Sequence, residues 1–214
     1  MTTSDRSTTS NPDHTPEPSP EPSPDLVAGS DGVLRCPWAA SSPLEQHYHD
    51  TEWGRELTGE REMFERIVLE AFQAGLSWRT VLNKREALRR AFAGFDVDAV
   101  ASMSDDQLDA LMADESIIRN RAKIRSARTN AIATIALRDG DGLNDLIWSF
   151  APSVPTMRGA VSEIPAVTAE SEALANALKR AGFSFAGPTT AYALMQAVGM
   201  VNDHLIGCHR HDAG

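Results

Sequence analysis

The stretch 69–78, Leu-Glu-Ala-Phe-Gln-Ala-Gly-Leu-Ser-Trp, constrains the fold more than any other. Read with Phe64, Ile67 and Val68 before it, the segment is apolar on nearly every helical face. A helix that is apolar all round is a buried helix, so other elements must wrap around it. One carboxylate, Glu70, stands inside this run. Burying an unpaired carboxylate costs several kcal/mol, so Glu70 needs a partner from the protein or from a ligand. Gly75 suits a left-handed residue just past the helix end. Ser77 suits the cap of the next helix, which opens at Trp78. Acid, tight turn and tryptophan then share one helix–helix corner, a place for a flat, electron-poor or cationic ligand.

The rest of the chain supplies the wrapping. Helical periodicity dominates and no strand alternation is sustained, so the expected class is all-α, a single domain of several short helices. A helix is expected over about 77–92. Ser104-Asp-Asp-Gln107 reads as a capping box for 105–113. A basic helix follows at about 120–138, with an apolar one near 143–150. Another runs 168–181 from a Thr168 cap to Gly182, and the last spans 189–198. Residues 151–167 are Pro-rich and irregular. Residues 1–31 carry the repeat Pro-Glu-Pro-Ser-Pro-Glu-Pro-Ser-Pro and too little apolar surface to offset the entropy of ordering. They are expected to be a disordered tail, with the folded domain at 32–214.

The 214 residues contain no apolar run long enough to span a bilayer and no signal-type start. A soluble, cytoplasmic protein with no membrane partner, acting as a monomer, is the expectation. The formal charge is −10, but residues 1–31, with six acids and one base, hold −5 of it. Two basic runs stand in the body: Arg79, Lys84, Arg85, Arg89, Arg90 and Arg119, Arg121, Lys123, Arg125, Arg128. Such stripes can hold a phosphate backbone even on an acidic protein. Two solvated helix faces are the simpler account.

Three constellations can carry chemistry. Cys36, His49, His204 and Cys208 make two thiols and two imidazoles, the donor set of a closed tetrahedral zinc site. The pair His204-x-x-x-Cys208 is one helical turn apart, and His47, His209 and His211 compete as ligands. Two buried free cysteines with unrelated histidines fit the spacing equally well. Glu70 with Tyr48, Trp53 and Trp78 suits a flat base bearing positive charge, by stacking and a charge-assisted hydrogen bond. A core aromatic cluster with a backbone-satisfied carboxylate suits the same residues. Gly182, Phe183, Ser184, Phe185, Ala186 and Gly187 form a tight turn before a helix, a sequence-independent way to present backbone amides to phosphate, or an ordinary corner.

Taken together the motifs are specific. Cys36-Pro-Trp38, Tyr48-His-Asp-x-Glu-Trp-Gly54, Leu69-Glu-x-x-Gln-Ala-Gly-Leu-Ser-Trp-x-Thr-Val-Leu82, Ile117-Ile-Arg-Asn120, Ser162-Glu-Ile-Pro165, Gly182-Phe-x-Phe185 and Val201-Asn-Asp-His204 run through residues 35–208. This set resembles the bacterial type I 3-methyladenine DNA glycosylases. The resemblance implies a helical domain of the helix-hairpin-helix glycosylase type, its termini clipped by one structural Zn2+ on Cys36, His49, His204 and Cys208. It implies a base pocket of Glu70, Tyr48 and Trp78, with Trp53 and Trp38 nearby and Glu70 as the key acid. It implies alkylated double-stranded DNA as substrate and free 3-methyladenine as product. The hairpin from Gly182 to Gly187 and the turn at Gly75 and Leu76 would then face DNA, with Leu76 as the wedge that fills the place of a flipped base. Relatives that also cut the strand carry a lysine just after the hairpin, where this chain has Thr189, so a monofunctional enzyme is expected. Most relatives carry a sugar-facing aspartate near the position of Asn202 and Asp203. The notable departure is Ser116, where related sequences often have glycine.

Overall fold

The computed structural model describes residues 21–212. Its centre is α2 (Glu60–Gln73), whose Met63, Phe64, Ile67, Val68, Leu69, Ala71 and Phe72 are all buried. Four helices cover it: α3 (Trp78–Ala91), α6 (Arg121–Leu137), α7 (Gly142–Trp148) and α9 (Pro188–Ala197). The apolar circumference of α2 thus makes it the axle of the domain, as its sequence requires.

Helix boundaries follow their caps. Ser77 Oγ accepts from Thr80 N at the start of α3. Ser104 and Gln107 close a reciprocal capping box on α5 (Asp105–Ala110), and Thr168 and Ser171 close another on α8 (Ala169–Arg180). Between α2 and α3 the chain turns through Gly75, at φ +78°, which an L side chain adopts only with strain. Asp96 caps the short α4 (Val97–Ala101), which packs along α6. Helices α8 and α9 pack against each other and are joined by the turn at residues 181–187.

The stretch at 21–31 departs from the expected tail. Val27–Ala28 (β1) pairs antiparallel with Leu34–Arg35 (β2). Ser23 N donates to Ile206 O at 2.8 Å, and Leu26 packs beside Cys36, Leu205 and Cys208. The Arg35 guanidinium grips both Asp31 and Asp50. These contacts anchor a composition that is otherwise poor in apolar residues. Residues 1–20 of the expected tail lie outside the described residues. A 3-10 turn, Pro37–Ser41, then leads to α1 (Pro43–Thr51), which lies against α3. This brings the N-terminal histidine segment beside the C-terminal one. No helix among the described residues is long and apolar enough to cross a membrane.

Candidate active site and metal cluster

One cavity of about 310 Å³ opens where α1, α2, α3 and α9 meet. Trp38, Glu45, Tyr48, Trp53, Glu70, Gln73 and Trp78 line it, with Ile164, Ala193 and Gln196. The five residues proposed from sequence as a base pocket therefore converge on one space. Tyr48 and Trp78 stand with ring centroids 5.2 Å apart at 47°, and Trp38 meets Trp53 edge-on at 5.1 Å. Glu45, Gln73 and Gln196 were not singled out by their sequence context.

Glu70 is 4% exposed and makes no side-chain hydrogen bond among the described residues. Burial pushes its carboxyl up to about 8, and the nearby Arg66 charge only partly opposes this. Without a partner for its charge, Glu70 favours the protonated form. A cation beside it would favour the ionised form. Arg66 itself is occupied elsewhere: Nη1 donates to Tyr48 Oη at 3.1 Å and Nη2 to Glu52 at 2.6 Å. Trp78 Nε1 is buried without a hydrogen-bond partner among the described residues, an orphan donor beside the same space.

The cavity continues past Glu70 and Gln73 into a groove bounded by Ala74, Gly75, Leu76, Thr189, Thr190 and Ala193. Leu76 is 41% exposed at this mouth. Behind the turn, Lys123 Nζ donates to Phe72 O and Ala74 O, the last carbonyls of α2. Lys123 is thus buried, unlike the solvated stripe its run of basic neighbours suggests. The other members of that run are paired: Arg121 and Arg125 with Asp109, Arg128 with Asp105, and Arg119 with Glu115. The hairpin also divides its residues. Phe183 is buried in the main core, which removes its ring from any outer contact. Ser184 N donates to Asn130 Oδ1 at 2.8 Å and Asn130 Nδ2 donates back to Ser184 O, so the main chain of Ser184 is already used. Phe185 stays 40% exposed at φ +56°. The N–H groups of Phe185, Ala186 and Gly187 make no bond among the described residues and sit at the N-terminus of α9.

Cys36, His49, His204 and Cys208 are all buried and their ligand atoms lie within 4.8 Å of one another. Cys208 Sγ is 3.5 Å from His49 Nε2 and 3.8 Å from His204 Nδ1, and Cys36 Sγ is 3.9 Å from His204 Nδ1. The second ring nitrogens are tied down. His49 Nδ1 donates to Asp50 Oδ1 at 2.8 Å and His204 Nε2 to Trp53 O at 3.3 Å. Each tie leaves the inward nitrogen bare, the form a metal ligand needs. Burial also holds His204 below the ordinary imidazole range. Gly54 allows the close approach: at φ +74°, a Cβ there would lie 2.8 Å from His204 Nε2. Of the competing histidines, His47 is exposed, His209 leans on Leu34 O, and His211 pairs with Asp212. A second loose grouping, His49, Asp50 and His209, shares the Asp50 that orients His49.

Asp203 is 1% exposed and fully engaged: it accepts from Arg158 Nε at 2.8 Å, Tyr192 Oη at 2.6 Å and Gln196 Nε2 at 2.8 Å. Asn202 bonds His211 O and His204 N. Neither lines the cavity, though Gln196 links Asp203 to its wall.

Fold and cavity together define a helical protein whose pocket is lined by aromatic rings and a desolvated acid. The chain belongs to the methyladenine glycosylase family, whose model matches residues 38–211. It is 46% identical over 177 residues to DNA-3-methyladenine glycosylase 1 of Escherichia coli, covering 81% of this chain and 95% of that one. Among solved structures, a crystal structure of 3-methyladenine DNA glycosylase I superposes with a TM-score of 0.80 at 45% identity, over 83% of this chain and 99% of that one. A tyrosine-to-phenylalanine variant of 3-methyladenine DNA glycosylase I, solved in complex with 3-methyladenine, gives a TM-score of 0.75 at 30% identity, over 79% and 92% of the two chains.

Proposed function

We propose that this chain excises 3-methyladenine from alkylated double-stranded DNA by hydrolysing its N-glycosidic bond, the first step of base-excision repair. The observation that carries the reading is Glu70, a buried carboxylate with no side-chain hydrogen bond among the described residues, on the wall of an aromatic cavity. The relatives named for this activity support it.

N3-methylation makes the base cationic within DNA, and it leaves as a neutral molecule, so its bond to the sugar is weak from the start. The protein has to extract the base, hold it and exclude its unmodified counterpart. Flipping costs a few kcal/mol. Leu76, exposed at the cavity mouth beside Gly75, is the wedge that fills the vacated stack. Stacking on Tyr48 and Trp78 returns about 1–3 kcal/mol per ring. Glu70 ionises against the incoming cation and reads its edge. The α8–α9 pair acts as the helix-hairpin-helix grip, with the free amides of Phe185, Ala186 and Gly187 facing a phosphate. No lysine lines the cavity or its mouth, and Thr189 stands at the hairpin exit. Without an amine there is no Schiff base and no strand cleavage.

The cluster of Cys36, His49, His204 and Cys208 is read as a zinc site. Zinc bonds of the usual length predict tetrahedral S···N edges of about 3.5 Å, close to the spacings found. Such a metal would supply four-ligand closure between the two ends of the domain and leave no position for reacting water. Trp53 and Trp38 touch both the cluster and the cavity, so closure there steadies the pocket wall.

Incubating the protein with methylated duplex and separating the released bases tests the function. Free 3-methyladenine should appear, with intact strands until alkali is added and no borohydride-trapped covalent adduct. Binding without base release would make the chain a DNA-binding module. A trapped adduct would refute the monofunctional mechanism.

A further inference from the structure

The cavity holds a second carboxylate. Glu45 is the third residue of α1, and its side chain is only 10% exposed. Its two oxygens are treated differently. Oε2 accepts from Ser41 Oγ at 2.6 Å, Ser42 Oγ at 2.8 Å and Arg79 Nε at 2.8 Å. Oε1 accepts nothing among the described residues. Capping of α1 does not explain this, because the cap is Ser42 Oγ accepting from Glu45 N at 3.2 Å. The ion pair does not explain it either, since Arg79 is 45% exposed and an acid on the outer surface would serve it. Three donors instead hold one oxygen of a cavity-lining acid and leave the other unspent.

We propose that Glu45 Oε1 is a second base-reading acceptor, fixed by Ser41, Ser42 and Arg79, that favours purines offering N–H donors or positive charge. The inference rests on the glycosylase reading of the cavity. It divides the work between two acids in different surroundings. Desolvation raises Glu45, but the hydrogen bonds from Ser41, Arg79 and Ser42 outweigh it and keep the group below the usual carboxylate range. Glu45 therefore offers a standing negative charge to an incoming base, whereas Glu70 gains its charge as the cation arrives. An anionic acceptor with one oxygen saturated also has a fixed direction, which a freely rotating carboxylate lacks.

The test is titration of free 3-methyladenine into wild type, Glu45→Gln and Arg79→Gln, read by tryptophan fluorescence, with thermal midpoints measured alongside. Glu45→Gln should weaken binding about tenfold, the equivalent of about 1.4 kcal/mol, through loss of a charge-assisted bond. Arg79→Gln, which removes one of the three donors but keeps the acceptor and both serine bonds, should weaken binding less, by about threefold. Glu45→Gln binding within twofold of wild type overturns the proposal. Equal losses in the two variants also overturn it, because Glu45 would then act through the fold. If Glu45→Gln folds poorly, Glu45→Asp keeps a partner for Arg79 while withdrawing the acceptor, and unchanged affinity there overturns the proposal in the same way. A wild type that releases no 3-methyladenine from methylated DNA and binds none of the free base defeats the glycosylase reading itself, and this inference with it. Release by wild type with an indifferent Glu45→Gln defeats this inference alone.

Discussion

Replacing Glu70 with Gln should make the protein more stable while disabling its pocket, and the gain should depend on pH in a defined direction. The buried carboxyl is pushed up to about 8, against an ordinary value of 4.5. A raised carboxyl binds its proton more tightly in the folded state than in the unfolded chain. Folding stability is then greatest below the unfolded value and falls as pH rises toward the folded one. Each unit of pH in that window costs about 1.4 kcal/mol, tapering near the upper end, so about 2 kcal/mol should be lost between about pH 6 and pH 8. Glu70→Gln has the same shape and no proton to lose, so it escapes this term. For a domain of this size the melting midpoint of the variant should climb relative to wild type by about 4–8 °C across that interval. Other titrating groups act on both proteins equally and cancel in the difference. Thermal denaturation of both proteins at several pH values measures it. Saturating free 3-methyladenine should narrow the gap from the wild-type side, since only the carboxylate gains a partner. Parallel midpoint–pH curves for the two proteins would show that Glu70 is not held in a desolvated, partnerless state, and the account of the site would fail.

Lys123→Met removes two charge-assisted bonds to Phe72 O and Ala74 O and leaves the end of α2 unsatisfied. It should cost about 2–3 kcal/mol and lower the melting midpoint by about 5–10 °C. Excision from duplex DNA should fall more than free-base affinity, because the loosened element is the Gly75–Leu76 turn; comparing the two assays checks this. On the zinc reading, Cys208→Ser should reduce the metal content to a trace, measured by atomic spectroscopy, and lower the midpoint by about 10 °C or more. Free-base affinity of the fraction still folded should fall only modestly, since no cluster ligand lines the cavity but Trp38 and Trp53 join its wall to the cluster.

What could be read from the sequence, and what could not, follows from the range of the forces involved. The burial of α2 was legible because its apolar residues surround the helix, and no packing arrangement leaves such a surface wet. The caps at Ser77, Ser104 and Thr168 were legible because a hydroxyl and an amide three residues on meet within one turn. Lys123 was not: in an acid-free run of arginines it looks like its neighbours, and only the approach of α6 to the end of α2 turns it inward. Composition misplaced residues 21–31 for a related reason. Proline and acid predict disorder for a segment alone, but Asp31 pairs with an Arg35 that also holds the distant Asp50, a clamp that no local pattern announces. Spacing left five histidines open as ligands. The structure separates them through the partners of their second nitrogens, Asp50 for His49 and Trp53 O for His204, which lie in contacts that a count along the chain cannot see. Glu45 is the strongest case. An acid near the start of a helix is commonplace in a sequence, and no motif spacing ties Glu45 to Glu70 or to the aromatic residues. Only the docking of α1 on α3, which brings Arg79 to one oxygen and the cavity to the residue, makes Glu45 a component of the site.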